Sequence, residues 1–257
     1  MPIRSEPWPA GTPCWVDLAV PDIAAATAFY GAVLGWSATD SGEDYAHYHI
    51  CKVDGRAAAG IGPLQNADQP PAWTVYLASD DVDGTAKSVG ESGGTVLVPP
   101  MDVAGAGRMC IALDAQGAAF GVWQAAGTPG AEIYNEPGAL VWTDARLPDP
   151  DAGRQFYTEV FGYRYHPMEG GPADYATFHL DGDPVGGMGG MMGAPPGTPA
   201  HWLTYFAVAD ADVAVAAARS GGAALLAEPW DTPFGRMAFI TDPQGATFAV
   251  IGPVAAS

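Results

Sequence analysis

Residues Trp15–Trp36 read WVDLAVPDIAAATAFYGAVLGW, and residues Trp142–Tyr163 read WTDARLPDPDAGRQFYTEVFGY. Trp15/Trp142, Asp17/Asp144, Pro21/Pro148, Asp22/Asp149, Phe29/Phe156, Tyr30/Tyr157 and Gly35/Gly162 coincide at an offset of 127. In the first copy Val16, Leu18 and Val20 alternate with Trp15, Asp17 and Ala19, the period of a half-buried strand. Asp22 is a helix N-cap, Ile23, Ala26, Phe29, Tyr30 and Val33 follow helical spacing, and Gly35 stops the helix.

The repetition continues outward. Gly107-Arg108-Met109, Asp114 and Gln116-Gly117-Ala118 return as Gly235-Arg236-Met237, Asp242 and Gln244-Gly245-Ala246, at an offset of 128. Between these blocks Trp73/Trp202, Tyr76/Tyr205, Asp81/Asp210 and Asp83/Asp212 match at an offset of 129. Three collinear blocks with so small a drift identify a duplication. The spacing predicts one domain over residues 8–125, a Gly/Pro-containing linker over 126–135 and a second domain over 136–255. Each domain carries a weaker internal echo, a strand and a helix followed by strands, so a βαβββ unit is used four times. In the first unit the strands after the helix are expected at Tyr45–Val53 and Ala57–Ile61.

The 257 residues carry 10 Lys and Arg against 29 Asp and Glu, a net charge of −19. Only Lys52 and Lys87 are lysines. This excludes the clustered cations that nucleic acid or an anionic membrane surface requires. No apolar run approaches the ~20 residues of a membrane span, and the first residues lack the pattern of a signal peptide. Cys14, Cys51 and Cys110 have no C-x-x-C spacing and are expected to be reduced thiols in a cytoplasmic protein.

The pattern Trp15-x-Asp17-Leu18-x-x-x-Asp22, Phe29-Tyr30 and Leu34-Gly35-Trp36, with the closing stretch from Gly235 to Phe248, resembles the vicinal oxygen chelate superfamily of glyoxalases, bleomycin-resistance proteins and extradiol dioxygenases. The tandem layout is similar to its hydroxylase-like and glyoxalase-like members. The resemblance implies an α+β fold of two tandem domains, each pairing two βαβββ modules into a half-open barrel around a cavity. It also implies metal-ligand positions on the barrel strands, and here those positions hold Trp15, Thr74 and Gly121 in one domain and Trp142, Leu203 and Ala249 in the other. A divalent metal needs three or four N, O or S donors, and this set does not supply them. No metal and no other cofactor is expected.

With Val16, Leu18 and Val20 packed on the helix, Trp15 and Asp17 face the cavity, as do Trp142 and Asp144. Counting by twos along the later strands adds Tyr45 and His49 in the first domain and Tyr175 and His179 in the second. Trp and Tyr offer stacking surface to a flat aromatic molecule. Asp17 with His49, and Asp144 with His179, would form acid–base dyads. Met188, Met191 and Met192, in a Gly-rich segment, suit an adaptable lid. His47 and His201 have no repeat partner and are expected at the surface. Arg108 and Arg236 are expected in structural ion pairs, and Trp73 and Trp202 in the core.

Three functions fit these residues. The first is a metal-independent protein that binds an aromatic or polycyclic small molecule, in secondary metabolism or self-resistance. The second is an enzyme of lyase, isomerase or oxygenase type that uses an Asp–His pair, with or without a recruited metal. The third is a scaffold whose cavities are filled by its own side chains. Either a monomer or a homodimer is compatible with the duplication.

Overall fold

A computed structural model describes residues 4–66 and 68–254. The first half runs β1 (Pro13–Val20), α1 (Ile23–Leu34), β2 (Ser37–Asp40), β3 (His49–Val53), β4 (Arg56–Pro63), β5 (Ala72–Ala78), α2 (Val82–Glu91), β6 (Thr95–Val103), β7 (Gly107–Leu113) and β8 (Ala119–Ala125). The second half repeats it as β9 (Leu140–Arg146), α3 (Pro150–Phe161), β10 (Arg164–Pro167), β11 (Ala176–His179), β12 (Pro184–Gly189), β13 (His201–Ala207), α4 (Ala211–Ser220), β14 (Ala224–Thr232), β15 (Gly235–Thr241) and β16 (Thr247–Gly252). Each half forms one eight-stranded, half-open sheet, in the orders β2-β3-β4-β1-β5-β8-β7-β6 and β10-β11-β12-β9-β13-β16-β15-β14. The expected pair of βαβββ modules per domain is therefore observed, joined along the antiparallel pairs β1–β5 and β9–β13.

The helix ends follow from local chemistry. Asp22 caps α1 by accepting from the Ala25 amide, and Gly35 closes it in the left-handed region at φ 73°. Asp149 caps α3 in the same way, with Pro150 inside the first turn and Gly162 at φ 74°. A residue with a Cβ is strained at these two glycine positions.

Alternation along the central strands sends Val16, Leu18 and Val20 into a core that also contains Phe206, Phe248 and Val250 of the second domain. The two sheets thus share one hydrophobic core through their helix-bearing faces. Trp73 of β5 meets Phe206 of β13 edge to face at 5.1 Å. Two symmetry-related polar clamps stitch the halves together. Tyr30 donates to Asp242 (2.9 Å) and accepts from the Trp73 indole (3.2 Å), while Tyr157 donates to Asp114 (3.1 Å) and accepts from Trp202 (2.9 Å). The Gln244 side chain brackets the backbone N–H and C=O of Asp22, and Gln116 does the same at Asp149. Each closing turn therefore holds the start of the other domain's helix. Trp73 and Trp202 are buried, as expected.

Arg108 pairs with Asp83 and Asp102, and Arg236 with Asp212 and Asp231. These are the expected structural ion pairs. Among the described residues no helix is long and apolar enough to cross a membrane.

Candidate functional site

With the helix-bearing faces pressed together, the other face of each sheet is a cup, and the two cups look away from each other. The first has a small apolar cluster of its own, Cys14, Tyr76 and Ala78 with Trp15, Met109, Ile111 and Trp123 against them. The second has Leu203, Tyr205 and Ala249 with Trp142, Met237 and Phe239. Both are open: Met101 and Leu226 on the outer strands are 47% and 56% exposed.

At the floor of each cup sits the repeated aspartate. Asp17 Oδ2 accepts from Tyr76 Oη (2.9 Å) and Tyr48 Oη (3.3 Å), and Tyr48 accepts from the Trp15 indole (2.9 Å). Asp17 Oδ1 has no hydrogen-bond partner among the described residues. Among the described residues no cation pairs with this carboxylate. Burial pushes it up to about 6, against the lowering effect of the two tyrosine hydroxyls. Its proton affinity is thereby held above the usual carboxylate range.

The second cup answers the same burial differently. Asp144 Oδ1 accepts from the Trp142 indole (2.9 Å) and Tyr175 Oη (2.7 Å), and Oδ2 accepts from Arg146 Nη2 (2.9 Å) and Tyr205 Oη (2.7 Å). Asp144 is 2% exposed and Arg146 is 4% exposed. Four donors fill the acceptor sites of Asp144, so it has none left for a proton transfer. The first domain has Ala19 where the second has Arg146.

The tyrosines reach the aspartates because glycines lie beneath them. A Cβ on Gly60 would overlap the Tyr48 hydroxyl, and one on Gly187 would overlap the hydroxyl of Tyr175. The structure places Trp15, Asp17, Trp142, Asp144 and Tyr175 on the cup faces and places Tyr45, His49 and Met188 elsewhere.

Tyr45 lies in a one-turn helix, Glu43–Tyr45, is 41% exposed and donates to the Ala104 carbonyl. Tyr48 is the true counterpart of Tyr175. Ala46 and His47 take left-handed φ values of 51° and 56°. That turn breaks the alternation, and a count by twos from Tyr45 slips onto the wrong face. His49 suffers the same slip. It shares a face with the core residue Cys51, its Nδ1 meets the His47 carbonyl, and it does not bond Asp17. His179 faces the cup side, yet it bonds the Gly182 carbonyl and Thr177 at the strand end rather than Asp144, with its ring 4.4 Å from that of His166. Neither Asp–His dyad forms.

Met188 is fully buried in the shared core, near Gly153 of α3, and is no lid. Met191 is half-buried in the loop. Met192 is at the cup rim, where its sulfur borders Gly189 beside the Tyr175 ring. Sequence reasoning missed Tyr48, Tyr76, Tyr205, Arg146 and His201. The repeat offset applied to Tyr175 finds Tyr48, and the Tyr76/Tyr205 match was itself a signal. His47 pairs with Asp40 at the surface as expected, but His201 is half-buried on β13, directly across from Arg146.

Of the ligand positions that the resemblance implies, Trp15 and Gly121 flank Tyr76 across adjacent strands and Trp142 and Ala249 flank Tyr205, while Thr74 and Leu203 lie opposite Asp17 and Asp144. The Tyr76 ring occupies the space a side chain at Gly121 would need. Among the described residues no cluster of three His, Cys, Asp or Glu side chains is arranged to hold a metal. The implied ligand positions themselves carry no His, Asp or Glu.

Comparison with known proteins agrees with this architecture. The model of the Glyoxalase/Bleomycin resistance protein/Dioxygenase superfamily matches residues 14–122 and 139–250. The chain is 40% identical to the "Putative glyoxylase CFP32" of Mycobacterium tuberculosis, covering 98% of each. It is 36% identical to the anthracycline biosynthesis protein DnrV of Streptomyces peucetius, covering 94% of this chain and 93% of that one. Among solved structures, the Mn(II)-bound glyoxalase from Novosphingobium aromaticivorans superposes with a TM-score of 0.67 at 17% identity, over 96% of this chain and 83% of that one.

Proposed function

The chain belongs to the Glyoxalase/Bleomycin resistance protein/Dioxygenase superfamily, and from that premise we propose that it is a small-molecule protein whose cups bind a flat aromatic compound without a metal at the superfamily's ligand positions. The observation that carries this reading is that Trp, Thr, Leu, Gly and Ala stand at the metal-ligand positions, while aromatic side chains surround the aspartate carboxylate of each cup. Trp15 and Tyr76, or Trp142 and Tyr205, offer ring surface at and beside the positions where a metal would need donors. Likeness to a protein named for anthracycline biosynthesis supports an aromatic ligand of secondary metabolism. Three buried free thiols support a reducing, cytoplasmic setting.

A second reading is favoured by Asp17. It is a carboxyl raised to about 6 with one oxygen open. Such a group takes a proton from a bound ligand or gives one to it. The proposed catalytic work therefore belongs to Asp17 with Tyr76 and Tyr48 in the first cup. The saturated Asp144 is left to a binding role.

The test measures metal content in protein purified without added metal or chelator, then the affinity for fluorenone, a flat aromatic probe, with and without EDTA. Sub-stoichiometric metal, EDTA-independent binding and weaker binding by Trp15→Ala and Trp142→Ala are expected. One metal per domain, or binding abolished by EDTA, would overturn the reading.

A further inference from the structure

The duplication provides an internal control, because the two cups were built from the same plan and now differ. Four cup-side positions of the second domain, Arg146, His201, Trp230 and Phe239, correspond to Ala19, Ala72, Met101 and Ile111 in the first. All four changes go from small or aliphatic side chains to polar or aromatic ones, and they converge on one place. Arg146 and His201 are direct cross-strand partners of the antiparallel pair β9–β13, which brings their Cβ atoms to about 5 Å. The Arg146 guanidinium lies 5.9 Å from the centre of the Phe239 ring, and Phe239 meets Trp230 edge to face at 5.0 Å and Tyr205 at 6.1 Å.

The hydrogen-bonding capacity left over there is specific. Both hydrogen bonds of Arg146, to Asp144 and Tyr205, leave from Nη2. Its Nε is buried without a partner, and Nη1 makes no hydrogen bond among the described residues. Asp144 already balances the charge, so the spare N–H groups suit a neutral acceptor oxygen better than an anion, the more so in a chain of net charge −19. His201 presents the opposite chemistry. Its Nδ1 faces the Pro199 carbonyl at 2.9 Å, and a carbonyl only accepts, so Nδ1 carries the hydrogen. Burial lowers the imidazole's proton affinity, which leaves Nε2 with a lone pair. A spare donor and a spare acceptor thus lie side by side beside a wall of aromatic rings.

We infer that the second cup receives a neutral, flat aromatic hydroxyketone, its carbonyl accepting from Arg146 and its hydroxyl donating to His201 Nε2, with the rings against Phe239 and Trp230. This rests on the aromatic-ligand reading above and gives it a substrate class and a domain. The first cup, with Ala19 and Ala72 in these places, lacks both partners.

Three probes of one shape separate the contributions: 2-hydroxyfluorenone has both groups, fluorenone only the carbonyl, and 2-hydroxyfluorene only the hydroxyl. Affinities are measured by equilibrium dialysis at pH 7.5 for the full chain and for His201→Ala and Phe239→Ile, each of which installs the residue the sister domain already carries. In the wild type, 2-hydroxyfluorenone is expected to bind roughly threefold to tenfold more tightly than fluorenone, the yield of one net hydrogen bond. His201→Ala removes that advantage and leaves fluorenone unchanged, a result that general damage to the fold would not give. Phe239→Ile weakens all three probes alike. If fluorenone binds but the hydroxyl gives no advantage, or if the advantage survives in His201→Ala, the inference fails and the aromatic-ligand reading stands. If none of the probes binds, both fail.

Discussion

Replacing Asp17 by Asn should make the protein more stable, and increasingly so as the pH rises. The folded carboxyl is raised from 3.8 to about 6. A group with a raised folded pKa contributes stability that is complete below the unfolded value and is lost as pH climbs through the folded one. At about 1.4 kcal/mol per unit, the raised titration of Asp17 costs the native state about 1.6 kcal/mol at pH 5, where folding must take up a proton, and about 3 kcal/mol at pH 8, where the folded carboxyl is ionised. Its partial exposure makes these upper figures. Asparagine does not titrate in this range. Its carbonyl oxygen can take the place of Oδ2 and accept from Tyr76 and Tyr48, while its amide nitrogen occupies the open Oδ1 position. Urea unfolding at pH 5, 6, 7 and 8 should show the advantage of Asp17→Asn growing by about 1.4 kcal/mol across the series. A constant difference, or an asparagine variant that loses ground toward pH 8, would mean that the carboxylate is well solvated and the acid–base role of Asp17 is wrong.

Three further outcomes follow from the geometry. Arg146→Met leaves Asp144 buried without its cation and should cost about 3–5 kcal/mol in urea unfolding; a loss under 1 kcal/mol would show that Trp142, Tyr175 and Tyr205 hold the charge alone. Tyr157→Phe deletes the hydroxyl between Asp114 and Trp202 at the domain seam. It should cost about 1.5–3 kcal/mol, and an unchanged midpoint of denaturation would remove the clamp from the account of stability. Gly121→Ala drives a methyl into the Tyr76 ring; a loss of about 1–3 kcal/mol is expected, and calorimetry showing no change in Tm would mean the ring yields freely.

The fold was legible because its determinants are local and stated twice. Asp22 and Asp149 cap, Gly35 and Gly162 stop, and the alternation around Leu18 chooses the core face. The aspartates at the cup floor followed from that alternation. The histidine dyads did not survive, because face assignment by counting is valid only within one uninterrupted strand. Two left-handed residues, Ala46 and His47, lie between Tyr45 and β3 and shift the count. At His179 the face was right, but the strand end is too far along the sheet to engage Asp144. Arg146 was overlooked for the opposite reason. Repeats draw attention to what they share, and the chemistry that distinguishes the second cup is held by residues that do not repeat.

The seam between the halves also governs how the two copies can drift apart. Tyr30, Asp114 and Gln116 each answer to the sister domain, and their duplicates Tyr157, Asp242 and Gln244 close the matching contacts. A change on one side is felt on the other, so these identities remain matched across the duplication. Residues facing the cups answer to their own sheet and to whatever enters it. Divergence is thereby channelled to the open faces: one gene carries two copies that must agree at their backs and are free to specialise at their fronts.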